Sequence, residues 1–203
     1  MSHLEVPPLP DPLTLPALQD YIRRVVQVRN FTTELDKILI LLVEEVGELA
    51  TEISHMANSQ ERFDPRNLAY ELIDILLYLL DFANGFSLDV LRLWEAHPPP
   101  ESVPAPLPPD LTLNALAGLA AGQALPPDSG GEERLLVLLC EGIGELAHGL
   151  RKHWKGRAEA EQIGRSIITV LHCLFRLGAR IGVDFEAALT EKERQNARRR
   201  WDY

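Results

Sequence analysis

A four-residue block, Gly47-Glu48-Leu49-Ala50, returns unchanged as Gly144-Glu145-Leu146-Ala147, and its surroundings return with it. Leu13-Thr14-Leu15-Pro16-Ala17-Leu18 is echoed by Leu111-Thr112-Leu113-Asn114-Ala115-Leu116, and Phe86 to Val90 by Gly182-Val183-Asp184-Phe185. A period near 95–98 residues, held across these landmarks, means one supersecondary unit used twice. Between the copies stand Pro98, Pro99, Pro100, Pro104, Pro106, Pro108 and Pro109. Proline lacks an amide hydrogen and fixes φ, so this density excludes helix and reads as a stiff, extended connector. The expected division is 1–96, a proline-rich linker at 97–110, and 111–203.

Each copy reads as four helices. In the first, Thr14 can cap a helix with Pro16 in its first turn, running to about Asn30, and Thr32 or Thr33 can cap a second over about 34–57. Pro65 opens a third over about 66–84, and a short fourth follows from Leu88 to Ala96. The second copy predicts helices near 112–122, 132–154, 159–180 and 184–200. Few aromatics among abundant Leu, Ile and Ala fit the same all-α class.

Acids sit inside the most apolar of these helices. At 100° per residue, Ile38, Leu42, Val46, Leu49, Ile53 and Met56 form one stripe, with Glu45 inside it, Glu48 and Glu52 along its edge, and Glu44 one step further round. On the next helix Glu71, Asp74, Tyr78 and Asp81 share a stripe beside the core face. No Lys or Arg lies between Lys37 and Arg62, or between Arg66 and Arg92, so neighbouring cations are not supplied by the helices themselves. Two carboxylates ~5 Å apart repel by about 3 kcal/mol at an effective dielectric near 20. A divalent cation relieves that repulsion, and oxygen ligands without His or Cys suit Mg²⁺, with Mn²⁺ as the alternative, rather than zinc.

The pattern Glu44-Glu45-x-x-Glu48 followed by Glu71-x-x-Asp74 resembles the MazG-like, all-α nucleoside triphosphate pyrophosphohydrolases. The resemblance implies Mg²⁺ held by Glu45, Glu48, Glu71 and Asp74, with Glu44 orienting or deprotonating a water that attacks the α–β linkage of a nucleoside triphosphate. Products would be a nucleoside monophosphate and pyrophosphate, in a role such as house-cleaning of nucleotide pools. Tyr78 matches a position where some members set an aromatic ring against the base; a core tyrosine is the equal alternative. These short units pair as dimers in the family, so a tandem copy implies an intramolecular pseudo-dimer, and a homodimer of that fused unit is a further expectation. A phosphoribosyl-ATP pyrophosphatase shares the same metal logic.

The copies have diverged. Aligning the Gly-Glu-Leu-Ala blocks puts Glu141 opposite Glu44, Glu145 opposite Glu48, and Gly142 opposite Glu45; the Asp89/Asp184 register puts Ser166 opposite Glu71, Thr169 opposite Asp74 and Cys173 opposite Tyr78. Three of the five acids are gone, and the second copy reads as a degenerate metal site. That loss also leaves open a non-catalytic, nucleotide-binding scaffold. The second copy instead carries Lys192, Asn196 and Arg199 at i, i+4 and i+7, a spacing that resembles the family's K-x-x-x-N-x-x-R segment and implies phosphate contacts; an idle basic helix end is the alternative. The Arg151 to Arg157 basic run could flank a triphosphate, though such a run is more often a solvated helix end.

The net charge of −10 argues against nucleic-acid binding through phosphate neutralisation. It is lopsided: residues 1–96 hold 16 acids against 7 bases, residues 97–203 hold 14 against 13. No run is apolar enough for a membrane span, and the proline-rich start lacks a signal-peptide pattern, so a cytoplasmic protein is expected. Cys140 and Cys173 are expected to be buried, reduced thiols, His55 and His172 packed histidines, and Trp94 and Trp154 covers for the bundle.

Overall fold

The computed structural model describes residues 6–58, 63–98, 107–108, 110–122, 131–157 and 160–198. Among them are eight helices: α1 (Leu15–Arg29), α2 (Leu35–Ala57), α3 (Pro65–Gly85), α4 (Val90–Ala96), α5 (Leu113–Ala121), α6 (Glu132–His153), α7 (Ala160–Ile181) and α8 (Phe185–Asn196). No strand occurs among the described residues, so the all-α expectation holds. Arg199 and most of the proline-rich linker lie outside the described residues.

The helix starts follow local capping chemistry, and the two halves use the same residue types for it. Thr14 accepts from the Ala17 amide at 3.3 Å and Thr112 from the Ala115 amide at 3.4 Å. Asp89 and Asp184 cap α4 and α8 by accepting from the Arg92 and Ala187 amides at 3.1 and 3.0 Å. Asp64 caps α3, with Pro65 in the first turn where a missing amide hydrogen costs nothing. The second helix departs from expectation. Its N-cap is Glu34, without a side-chain cap bond: the Glu34 carboxylate accepts from Lys37 at 2.6 Å, and Thr32 accepts from the Glu34 amide at 3.2 Å.

Packing is shared across the halves. The ideal Cβ position at Gly85, the last residue of α3, falls 2.5 Å from Leu35 at the start of α2, so these helices run antiparallel. Glu132 opens α6 and binds Arg180 near the end of α7 at 2.7 Å, giving the second pair the same sense. The fourth helices cross over: α4 packs on α7, and α8 packs on α3. The starts of α1 and α5 also meet, in an isolated antiparallel bridge between Thr14 and Thr112. One apolar core results, drawing on Leu18, Leu42, Leu72, Trp94, Leu116, Leu139, Leu174 and Leu189, one from each helix.

Some side chains depart from the sequence reading. Cys173 is buried, but Cys140 is exposed, since it occupies on α6 the outward position that exposed Val43 holds on α2. Trp94 is buried against His172 and Phe175, whereas Trp154 is 62% exposed where α6 runs out into a turn. His172 is packed as expected, and burial lowers its pKa to about 4. No single helix among the described residues is long and apolar enough to cross a membrane.

Candidate metal centre

Antiparallel packing of α2 on α3 turns two acidic edges toward each other. Glu45, Glu71 and Asp74 each offer a carboxylate oxygen, and these oxygens all lie within 4.8 Å of one another. All three residues are half-buried. The position of Glu45 in an otherwise apolar stripe is what draws it in: Leu42, Val46 and Leu49 around it are core residues, and the carboxyl follows them inward.

The electrostatics are those of a site short of positive charge. Burial, then the Asp74 charge, then Glu71 raise Glu45 to about 8. Burial raises Glu71 to about 7, with the Lys192 ammonium as the main opposing influence. One Glu71 oxygen, Oε2, is buried without a hydrogen-bond partner. Converging hard oxygens, one of them orphaned, and carboxyls pushed toward protonation by burial and by one another are a fit to a divalent cation such as Mg²⁺ or Mn²⁺. The two glutamates and Asp74 would hold it, with Glu48 beside them.

A cavity of about 600 Å³ opens in front of these acids, within the size range of small-molecule sites. Glu45, Glu48, Glu71, Asp74 and Lys192 line it. Lys192 comes from α8, is 8% exposed, and forms an ion pair with Asp74. Its ammonium also stands 5.4 Å from the centre of the Tyr70 ring.

Not every residue singled out in the sequence reaches this cavity. Glu44 is exposed on the outer side of α2, because consecutive helical residues point about 100° apart. Tyr78 lies one turn beyond Asp74, half-buried against the apolar core rather than among the lining residues. Asn196 is buried behind α8, donating to Glu193 at 3.0 Å. The basic run at the end of α6 is placed by His153, whose ring meets Phe86 past the end of α3. At 1.5 Å per residue that is roughly 18 Å along the helix from Asp74. The cavity also gains residues that the motif did not announce: Tyr70, whose hydroxyl accepts from Gln195 at 3.0 Å, and Arg66, paired with Asp64 at 3.0 Å. Position alone could have pointed to Tyr70, one turn before Asp74, as to Asn67, one turn before Glu71, and Gln195, one turn beyond Lys192.

The matching place in the second half is closed. A Cβ added at Gly142 would lie 2.6 Å from Val170 Cγ2, so α6 and α7 touch where α2 and α3 enclose carboxylates. Ser166 turns to Glu145 at 3.3 Å, and the Thr169 hydroxyl donates to the Arg165 carbonyl within its own helix.

Residues 33–90 match the family model described as the MazG nucleotide pyrophosphohydrolase domain. That segment contains α2, α3 and all five acids of the motif, but not Lys192. No curated protein and no solved structure matches the chain.

Proposed function

We propose that this chain, which carries a MazG nucleotide pyrophosphohydrolase domain over residues 33–90, is a divalent-metal-dependent hydrolase that splits a nucleoside triphosphate into its monophosphate and pyrophosphate. The observation that carries this reading is the three-carboxylate cluster with its orphaned Glu71 oxygen, facing a cavity into which a lysine also reaches. Magnesium bound there would neutralise phosphate charge and make a water more acidic.

The chain's own groups divide the remaining work. Glu45, Glu71 and Asp74 fix the negative pole of the cavity, and Lys192 and Arg66 supply cationic groups for phosphate oxygens. Glu48 is exposed at the cavity lip and is the carboxylate placed to take the proton of an attacking water; Glu44, which the motif alone favours for that duty, faces away. Tyr70 lines the cavity and is better placed than Tyr78 to contact a substrate.

The two halves act as a covalently linked pseudo-dimer in this reading, divided at the proline-rich linker. Repeated Thr and Asp caps, the Thr14–Thr112 bridge and the exchange of α4 and α8 between halves support it. The first half supplies the acids, the second the lysine.

The test is pyrophosphate release across canonical and modified NTPs and dNTPs, with and without Mg²⁺. Release is expected only with the metal, and Asp74→Asn should abolish it while helical circular dichroism is kept. Metal-independent release, or orthophosphate as the product, would overturn the assignment.

A further inference from the structure

Behind Lys192, on the side of α8 away from the cavity, lies a buried polar cluster that the proposed chemistry does not use. Glu193 Oε2 accepts from the Tyr21 hydroxyl at 2.7 Å and from Arg29 Nη2 at 3.2 Å, while Glu193 Oε1 accepts from Asn196 at 3.0 Å. Tyr21, Glu193 and Asn196 are 1%, 8% and 7% exposed, and the Arg29 side chain is 8% exposed. Tyr21 and Arg29 belong to α1 in the first half; Glu193 and Asn196 belong to α8 in the second.

Helical geometry gives this cluster its meaning. Glu193 and Asn196 are one turn apart on one face of α8, and Lys192 and Gln195 are one turn apart on the adjacent face. From the first pair, Glu193 is tied to α1 and is itself braced by Asn196; the second pair is tied to Asp74 and Tyr70 on α3. A helix held on two adjacent faces can neither roll nor slide, so the α1 contacts set where the Lys192 ammonium stands. Packing alone does not explain the choice of residues. A buried ion pair is often no more stabilising than apolar side chains of the same volume, and its best-attested use is to select one register.

We propose that Glu193 is a positioning residue: held by Tyr21, Arg29 and Asn196, it locks α8 onto α1 so that Lys192 is presented to the acidic cavity. This rests on the function proposed above for what Lys192 does there, but not for where Lys192 sits.

Two measurements separate those dependencies. The first is reductive methylation of lysines read by mass spectrometry, with exposed Lys37 and Lys155 as internal standards. Wild-type Lys192 should react about tenfold more slowly than either, from its burial and ion pairing. Glu193→Gln, and the milder Tyr21→Phe as a variant sure of its packing, should speed Lys192 about threefold or more while leaving the standards unchanged. The second is steady-state kinetics. Glu193→Gln should raise KM for the triphosphate about tenfold or more, the worth of one charge-assisted hydrogen bond, with kcat within about twofold. In a Lys192→Met background it should add nothing further to KM. Unchanged Lys192 labelling in both variants, or a full KM effect persisting without Lys192, would overturn the positioning role. A wild-type chain with no pyrophosphohydrolase activity would sink the proposed function alone, since the labelling arm still decides this one.

Discussion

Lys192, near the end of the last helix, pairs with Asp74, 118 residues earlier in the chain. An ammonium thus sits among the half-buried acids and offsets part of their charge. Lys192→Met should therefore have opposite effects on two ligands. Removing a positive charge beside the carboxylates should tighten Mg²⁺ about tenfold in calorimetry, and the same change should weaken a nonhydrolysable triphosphate measured in the presence of the metal. Weakening of both would mean that Lys192 only shapes the site.

Glu45 gives a pH signature. Its folded pKa, about 8, lies above the ordinary carboxylate value, so the folded state holds more protons than the unfolded one between about pH 4.5 and 8. Stability from this group is complete below that window and is lost as pH rises through it; Glu71, raised to about 7, adds in the same direction. The metal-free protein should melt lower at pH 8 than at pH 6. Glu45→Gln should raise the pH 8 melting temperature by about 2–4 °C while abolishing turnover and the stabilisation by added Mg²⁺. A metal-free melting temperature that does not fall between pH 6 and 8 would show that burial and crowding do not hold these acids protonated.

The two outer acids of the motif should behave unequally. Glu48 lines the cavity and Glu44 faces solvent, so Glu48→Gln is expected to lower kcat by about 10²-fold or more, the range for a proton-transfer group, and Glu44→Gln by less than about threefold. Equal losses would return Glu44 to the chemistry.

Gly142 marks the closure of the second half. Ala there must displace the Val170 methyl from 2.6 Å, at a cost of about 1–3 kcal/mol. Thermal melting of Gly142→Ala should show that loss, with kcat unchanged. Gly142→Glu should fail to restore a second metal site, as metal titration would show by an unaltered stoichiometry.

Most of the helical frame was legible because its signals are local. Thr14, Thr112, Asp89 and Asp184 each cap within three residues of themselves, and the periodic apolar stripes located α2, α3, α6 and α7 to within a residue or two. The Glu45, Glu71 and Asp74 cluster was legible for the same reason, since fixed spacing on two helices places side chains on fixed faces. What stayed hidden depends on long-range packing. No spacing rule says that α8 rather than α4 lies on α3, so the residue opposite Asp74 could not be read, nor could the inward turn of Asn196 toward Glu193. Tyr78 illustrates the converse: its stripe was right, but a stripe extends the length of a helix and the cavity spans only part of it.

The crossing of α8 onto α3 has a consequence for how the protein behaves on dilution. When a lysine must come from a separate molecule, its supply falls with concentration; here both elements share one backbone and one core, so their encounter is intramolecular and independent of protein concentration. Specific activity should therefore hold constant from micromolar down to nanomolar enzyme.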